Sequence, residues 1–224
     1  MTELEEFSQA ALRLGAPLSA QALEQARAYV AFLLERNAVV NLTAETQPRA
    51  VYLRHLADAL PAAAYLKKAL ASPDSPAPRL ADLGAGGGFI GFGLKLAWPQ
   101  AEVTLIESLQ RKFEFLNVAA LRSGLKGLKV VRARAGLGPS AAFDAVVERA
   151  VAALPRALDI AATLLKPGGL LLAYQSRPPE LSQPAVSRAL RRSGFSFLEN
   201  VAYRLPGETR QRCLAVFLYR SERP

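Results

Sequence analysis

Residues 80–91 have the sequence LADLGAGGGFIG. An apolar run that ends in an acid and continues into glycines is typical of a buried parallel strand, a tight turn and the start of a helix. Glycine suits such a turn because it lets the backbone approach a ligand closely. The segment therefore predicts a site for a nucleotide-like cofactor.

Two cofactor classes fit these glycines, in two registers. Gly86, Gly88 and Gly91 satisfy the pattern of dinucleotide-binding folds, in which a pyrophosphate lies on a helix N-terminus. Gly84, Gly86 and Gly88, with Asp82 two residues earlier, satisfy the pattern of S-adenosylmethionine (SAM) methyltransferases. A carboxylate at the strand end can meet the methionine ammonium of SAM but would repel a pyrophosphate. The segment therefore favours SAM; a nicotinamide cofactor and a turn without a ligand are the alternatives.

The charge balance points to a polyanionic partner. The 224-residue chain has 28 Lys and Arg against 19 Asp and Glu, a formal net charge of +9. Nucleic acid is the first candidate partner, since its phosphates are attracted by such a field. A compositional bias toward Arg and Ala is the alternative explanation.

Three features predict a cytoplasmic protein. The single cysteine, Cys213, excludes an internal disulfide and fits a reducing compartment. The acidic residues 1–6 lack the basic start of a signal peptide, and no run approaches the roughly 20 apolar residues of a membrane span. We expect a monomer without membrane association.

The first 70 residues are predicted to be helical, over residues 1–15, 19–36 and 48–70, with an irregular, Asn-punctuated segment after residue 36. In the third helix His55 and Asp58 share a face, so the carboxylate could orient the imidazole. The pair is interpreted either as facing RNA or substrate or, preferably, as a structural hydrogen bond that holds the helices to the next domain. The proline-rich residues 71–78 predict a linker between a helical extension, 1–70, and a second domain, 79–224.

From residue 79 onward strand and helix patterns alternate. Strands are predicted at 80–83, 103–106, 128–131, 145–147 and 170–174, and helices at about 89–98, 110–123, 154–165 and 179–192. This alternation indicates a doubly wound parallel sheet, and the runs 195–203 and 213–219 predict a closing antiparallel hairpin. The fold class is therefore α/β, a Rossmann-like class I SAM-dependent methyltransferase fold with a seven-stranded, mostly parallel sheet.

Three strand ends are expected to meet at one site, because ligands of such sheets bind outside the carboxyl ends of the strands. The first strand supplies Asp82 and the glycines. The second ends at Glu107, an acid placed to bind both hydroxyls of a ribose. The third ends near residues 132–136, whose backbone groups are placed to meet an adenine.

Several further segments carry a family resemblance that runs almost end to end. They are Tyr29-Val30 with Leu33; Asn37; Asn41-Leu42-Thr43; Arg54-His55 with Asp58; the glycine segment 82–91; Glu107-Ser108 with Lys112 and Phe115-Leu116; Arg149-Ala150-Val151-Ala152; and Gly168-Gly169. With these residues the chain resembles the RsmG family, also called GidB, whose members methylate N7 of a guanosine in bacterial small-subunit (16S) ribosomal RNA.

The resemblance implies which residues form the site. It implies a SAM site with Gly84 and Phe89 around the methionine part, Glu107 at the ribose, Ala135 and Gly136 at the adenine, and Arg149 at the edge. It also implies that the cations for RNA binding or methyl transfer are Arg111 or Lys112, Arg134, Arg149 and Arg212.

The chain departs from the family pattern at a few positions. Ile90 and Gly93 stand where the family usually has proline, which predicts a less rigid loop. Gln175-Ser176 replace a usual Lys-Gly, and Cys213 replaces a usual histidine. These changes are expected to affect RNA methylation more than SAM binding.

The implied reaction requires no general base. N7 of guanine carries an in-plane lone pair and no proton, so the enzyme's task is alignment and electrostatic positioning. The expected partner is small-subunit ribosomal RNA, free or in its ribosomal particle. The alternatives are a SAM-binding, RNA-binding protein with lost or altered transfer and, less favoured, a nicotinamide-dependent oxidoreductase, since the only histidine, His55, precedes the glycine segment.

Overall fold

The computed structural model describes residues 1–72, 76–134 and 142–220. The helices are α1 (Glu3–Arg13), α2 (Ala20–Val40), α3 (Pro48–Ala50), α4 (Leu60–Leu70), α5 (Phe89–Ala97), α6 (Gln110–Ser123), α7 (Leu154–Leu164) and α8 (Pro184–Arg192). The strands are β1 (Arg79–Leu83), β2 (Glu102–Glu107), β3 (Leu128–Arg132), β4 (Phe143–Glu148), β5 (Leu165–Gln175), β6 (Phe195–Tyr203) and β7 (Arg212–Tyr219). A π-helix (Val51–Leu56) and a 3₁₀ turn (Ala57–Ala59) connect α3 to α4.

The seven strands form one sheet in the order β3-β2-β1-β4-β5-β7-β6. The first five strands are parallel, and β7 runs antiparallel to both β5 and β6. The chain order reverses between β1 and β4, which opens a crevice at their carboxyl ends. The predicted SAM-dependent methyltransferase fold is confirmed.

Helices cover both faces of the sheet. On one face α7 and α8 pack on buried side chains such as Leu158, Leu171 and Phe217. On the other face the helices of residues 1–70 share one apolar core with α5, α6 and the strands, in which Phe7 and Leu56 are fully buried. Within the described residues no helix combines the length and the apolar character that a membrane crossing needs.

Two predicted helix ends were wrong. Helix α2 continues to Val40, because Asn37 lies inside the helix and Asn41, with a φ of 55°, caps its end in the left-handed conformation. The Asn37 side chain instead accepts hydrogen bonds from the N–H groups of Leu42 and Thr43. Helix α8 begins at Pro184 rather than near residue 179, since proline is favoured in the first helical turn.

Candidate active site

The turn after β1 is built from glycines with positive φ. Gly84, Gly86 and Gly88 have φ values of +68°, +58° and +88°. A Cβ at Gly84 would lie 2.5 Å from Cγ2 of Val151, whereas a Cβ at Gly86 would meet nothing closer than 3.9 Å. Gly84 therefore permits tight packing against the chain after β4, and Gly86 leaves the outer side of the turn open.

Asp82 is buried behind this turn. Its Oδ2 accepts a hydrogen bond of 2.8 Å from the N–H of Gly91 in the first turn of α5. Burial raises the pKa of Asp82 to about 6, against the opposing effects of that hydrogen bond and of Arg149. The carboxylate thus fixes α5 on β1, and its contact with a methionine ammonium stays a prediction.

Glu107 joins the second strand to the glycine turn. Its Oε2 accepts from the N–H of Gly86 at 2.9 Å and its Oε1 from the N–H of Leu109 at 2.8 Å. The end of the third strand is tied to the same residue, since the N–H of Ala133 donates to the Glu107 carbonyl. Each carboxylate oxygen keeps a further lone pair, so Glu107 can still accept from ribose hydroxyls.

The third strand end itself is only partly described. Ala135 and Gly136, predicted at the adenine, lie outside the described residues. Arg134 is exposed just beyond β3. Arg111 and Lys112 lie in the first turn of α6, the former exposed and the latter half-buried.

Asp58 forms salt bridges with two of the predicted cations. Its Oδ2 accepts from Nη1 of Arg149 at 2.7 Å and from Nη1 of Arg212 at 3.1 Å. Its Oδ1 accepts from the Tyr203 hydroxyl at 2.6 Å, and the Tyr174 hydroxyl donates to its backbone carbonyl. Burial, followed by the nearby Asp58 charge, raises the pKa values of both tyrosines, which keeps them protonated as donors.

The sheet topology explains why these residues meet. Arg149 directly follows β4, and Tyr174 lies near the end of the parallel strand β5. Because β7 is antiparallel to β5, its first residue, Arg212, lies at the same edge of the sheet; the next residue, Cys213, pairs with Gln175. A cavity of about 320 Å³ opens there, lined by Asp58, Arg149, Tyr174, Tyr203 and Arg212 among others.

The expected pairing of His55 with Asp58 is not found. The imidazole Nε2 lies 3.0 Å from the hydroxyl of Thr43, and its ring stacks on Phe89 with centroids 4.3 Å apart. The pair fails because the backbone over Val51–Leu56 is a π-helix, in which three-residue spacing no longer sets a shared face. Of the two residues, Asp58 is the one that bonds the sheet, through Arg149, Tyr203 and Arg212, which agrees with the preferred structural interpretation of that residue.

The N-terminal helices also hold the glycine turn. The Tyr29 hydroxyl donates a hydrogen bond of 2.6 Å to the carbonyl of Gly87, and its ring stacks on Phe92. The buried ring of Phe89, the first residue of α5, stacks on His55, and the guanidinium carbon of Arg149 lies 5.8 Å from its centroid. The position of the glycine turn and of Phe89 therefore depends on residues of the N-terminal helices, which precede β1 in the chain.

The departures from the family pattern take different places in the structure. Ile90 and Gly93 lie inside α5 and are buried, so the predicted loss of rigidity in a loop was wrong. A Cβ at Gly93 would lie 2.4 Å from Cβ of Ala59, so glycine lets α5 approach the 3₁₀ turn. Gln175 and Ser176 line the cavity, whereas Cys213 is buried.

Glu148 is a buried acid that the sequence reasoning missed. It ends β4 directly before Arg149 and is 1% exposed, and among the described residues its one hydrogen bond is a long one of 3.4 Å from the N–H of Val151. Burial raises its pKa from 4.5 to about 7. Its place at the carboxyl end of a strand, beside the matched Arg149, was the signal that could have found it.

This burial predicts a pH-dependent stability. The unfolded chain releases the Glu148 proton at lower pH than the folded chain, so the free energy of unfolding should fall as pH rises from about 4.5 to about 7. Glu148→Gln removes this pH dependence. Between pH 5 and pH 8 its free energy of unfolding should therefore rise relative to that of the wild type by up to about 3 kcal/mol. Urea unfolding at both pH values measures it; a constant difference between the two proteins would contradict it.

The residues present fit SAM. The acid Glu107 lies one hydrogen bond from Gly86, on the open outer side of the turn. Arg149, which lines the cavity, lies two residues before Val151, the residue against which Gly84 packs. The fold suits a dinucleotide less well than SAM, because the antiparallel β6 and β7 occupy the edge of the sheet where a dinucleotide-binding fold has a further parallel strand.

Comparisons with known proteins agree with this geometry. The profile of the family described as GidB, rRNA small subunit methyltransferase G, matches residues 22–205. The proteins named ribosomal RNA small subunit methyltransferase G of Limosilactobacillus reuteri and Sorangium cellulosum are each 34% identical, over 95% and 90% of this chain and 89% and 84% of their own.

Solved structures share the fold. Aeropyrum pernix fibrillarin, in complex with natively bound S-adenosyl-L-methionine, is 17% identical and has a TM-score of 0.51, covering 70% of this chain and 73% of its own. M. jannaschii TYW2, in complex with AdoMet, is 15% identical with a TM-score of 0.51, covering 69% and 73%.

Proposed function

Because the chain belongs to the GidB family, rRNA small subunit methyltransferase G, we propose that it transfers a methyl group from SAM to N7 of a guanosine in small-subunit ribosomal RNA. The observation that carries this proposal is the cavity in which the buried Asp58 holds Arg212 and Arg149, the latter two residues before the Val151 against which Gly84 packs. When bound, SAM supplies a methyl group on a positively charged sulfur.

The two arginines are proposed to position the RNA. Each keeps more than a quarter of its side chain exposed, 27% for Arg149 and 29% for Arg212, although each is bound to Asp58. Arg149, bound to Asp58 through Nη1, still presents its other N–H donors to a phosphate or to the base. Arg212, which also bonds Glu208 through Nε and Nη2, keeps one N–H on each of its two Nη nitrogens. Such contacts fix the orientation of the nucleotide, and the cavity between them takes the splayed guanine.

Direct attack by N7 is supported by the protonation states around the cavity. Burial and the Arg149 charge lower the pKa of His55, the only histidine, to about 4. Its imidazole is therefore neutral at pH 7 and only a weak base. The cavity-lining tyrosines stay protonated, and Asp58 is occupied by three donors. None of these groups is needed as a base, since N7 carries no proton.

The test is transfer of labelled methyl from SAM to small-subunit particles, naked small-subunit ribosomal RNA and a protein control, followed by mapping of the modified nucleoside. Label recovered as 7-methylguanosine is the expected result. SAM binding without transfer to either RNA would overturn the proposal and favour a binding role.

The mechanism makes a separate prediction for His55. His55→Phe keeps the stack on Phe89 and removes the ring nitrogens, so kcat should fall less than about tenfold, below the effect of a lost general base. The kcat of the wild type should also be level between about pH 6 and pH 9. Single-turnover rates across this range measure both; a loss of about 100-fold or more in His55→Phe would identify His55 as a base, since a pKa of about 4 leaves the wild-type imidazole unprotonated throughout this range.

A further inference from the structure

A second groove lies beside the candidate active site and has no role in the proposed reaction. It has a volume of about 650 Å³ and lies between the end of α1, one face of α4 and the loop from β6 to β7. Pro61, Ala64, Tyr65 and Lys68 of α4 recur at three- and four-residue spacing and form its floor and one wall. The loop residues 204–208 form the opposite wall.

Three exposed cations line this groove: Arg13, Lys68 and Arg204. Among the described residues none of the three forms a salt bridge. The nearby acids are engaged: Glu208 pairs with Arg212 at 2.7 Å, and Glu199 accepts from the Tyr65 hydroxyl at 3.1 Å. The groove is therefore a cationic trough that complements an anion.

Two tyrosines, Tyr65 and Tyr203, line the groove among these cations. The half-buried ring of Tyr65 lines the groove, and its hydroxyl is fixed on Glu199. A positively charged groove with a fixed aromatic ring is how proteins bind single-stranded nucleic acid without reading its sequence, because every base has a face that can stack.

The groove is continuous with the candidate active site. Tyr203 lines both the groove and the cavity that holds Arg149. Glu208, at the groove, forms its ion pair with Arg212, at the cavity. The groove therefore begins where the cavity ends, at Tyr203.

We propose that this groove binds the single-stranded RNA that flanks the target guanosine, with Tyr65 stacking on a neighbouring base and Arg13, Lys68 and Arg204 contacting its phosphates. The inference rests on the proposed function, which supplies the guanosine in the adjoining cavity. A protein partner is disfavoured because the lining joins three exposed cations to the half-buried ring of Tyr65, the combination that phosphates and bases require.

The test compares two triple variants of equal charge. Arg13→Gln/Lys68→Gln/Arg204→Gln empties the groove of cations, and Lys126→Gln/Arg156→Gln/Arg188→Gln removes three exposed cations beyond α6 and on α7 and α8. Both lower the formal net charge from +9 by three. The probe is unmodified small-subunit ribosomal RNA transcribed in vitro, with Kd measured against salt concentration.

The groove variant should bind at least about tenfold more weakly, and its slope of log K against log salt should shrink by about 2, for three single-strand phosphate contacts. The control variant should stay within about threefold of the wild type. Tyr65→Ala should raise KM for RNA about five- to tenfold while Tyr65→Phe does not, and SAM binding should be unchanged in all variants.

Two outcomes overturn the inference. Equal losses in both triple variants would show that only the overall charge acts. Unchanged binding of naked RNA by the groove variant, with transfer lost only on assembled particles, would assign the groove to a protein component of the particle. A wild type that binds RNA through the groove but transfers no methyl would instead overturn the proposed function alone.

Discussion

Gly84→Ala should abolish SAM binding and methyl transfer, with a loss of at least about 100-fold in each. The added Cβ would lie 2.5 Å from Cγ2 of Val151, and the φ of +68° costs an L-residue a further 1–2 kcal/mol or so. Relief of the contact must move the chain after β4, which carries Arg149. Calorimetric titration with SAM and the methyl transfer assay measure the two losses.

Gly168→Ala is the matched control, because Gly168 has a φ of +80° and an added Cβ there meets nothing within 4 Å. It should cost about 1–2 kcal/mol of stability and leave SAM affinity unchanged. Gly84→Ala combined with Val151→Ala should recover part of the lost binding, since the clashing methyl is gone. Equal losses in the two glycine variants, without recovery in the double variant, would contradict the packing explanation.

Asp58→Asn should reduce kcat by about 100-fold and the free energy of unfolding by about 2–4 kcal/mol. Asp58 is fully buried and is the shared acceptor of Arg149, Arg212 and Tyr203. The neutral amide leaves Arg149 without the carboxylate it pairs with and Arg212 with Glu208 as its remaining charge partner. The stability loss stays below that of a fully buried pair because both arginines reach solvent.

Asp159→Asn provides the control for this change. Asp159 pairs with Arg192 on the other face of the sheet, where the arginine is exposed and Asp159 is half-buried and also accepts from the Ser193 hydroxyl, so its removal should cost about 1 kcal/mol. Urea unfolding, RNA Kd and single-turnover rates separate stability, binding and alignment. A loss confined to stability, with kcat intact, would show that Asp58 is a structural residue without influence on the reaction.

The sequence predicted the sheet well because its signals are local. The apolar run before Gly84 and the acid at residue 107 each mark a strand end within a few residues. All five parallel strands and the closing hairpin lie where their patterns indicated. The errors fell where a side chain acts over distance, as in Asn37, which caps the following loop from inside a helix.

The candidate site was harder to predict, because its contacts join residues far apart in the chain. Spacing suggested His55 as the partner of Asp58, but the partners are Arg149, Tyr203 and Arg212, which only the strand order brings together. Glu148 was missed because one sequence does not distinguish a buried acid from an exposed one at a strand end. The cofactor roles of Asp82, Glu107 and the glycines, and the domain boundary at residues 71–78, stay predictions.

The bond between Asp58 and Arg212 joins residues 154 positions apart. During synthesis the chain emerges N-terminal end first, at about 5–20 residues per second. The glycine turn and Asp58 are thus complete many seconds before β7 leaves the ribosome, and until then Asp58 lacks one of its two cations. The pair of cations on Asp58 is therefore complete only once the last strand has joined the sheet.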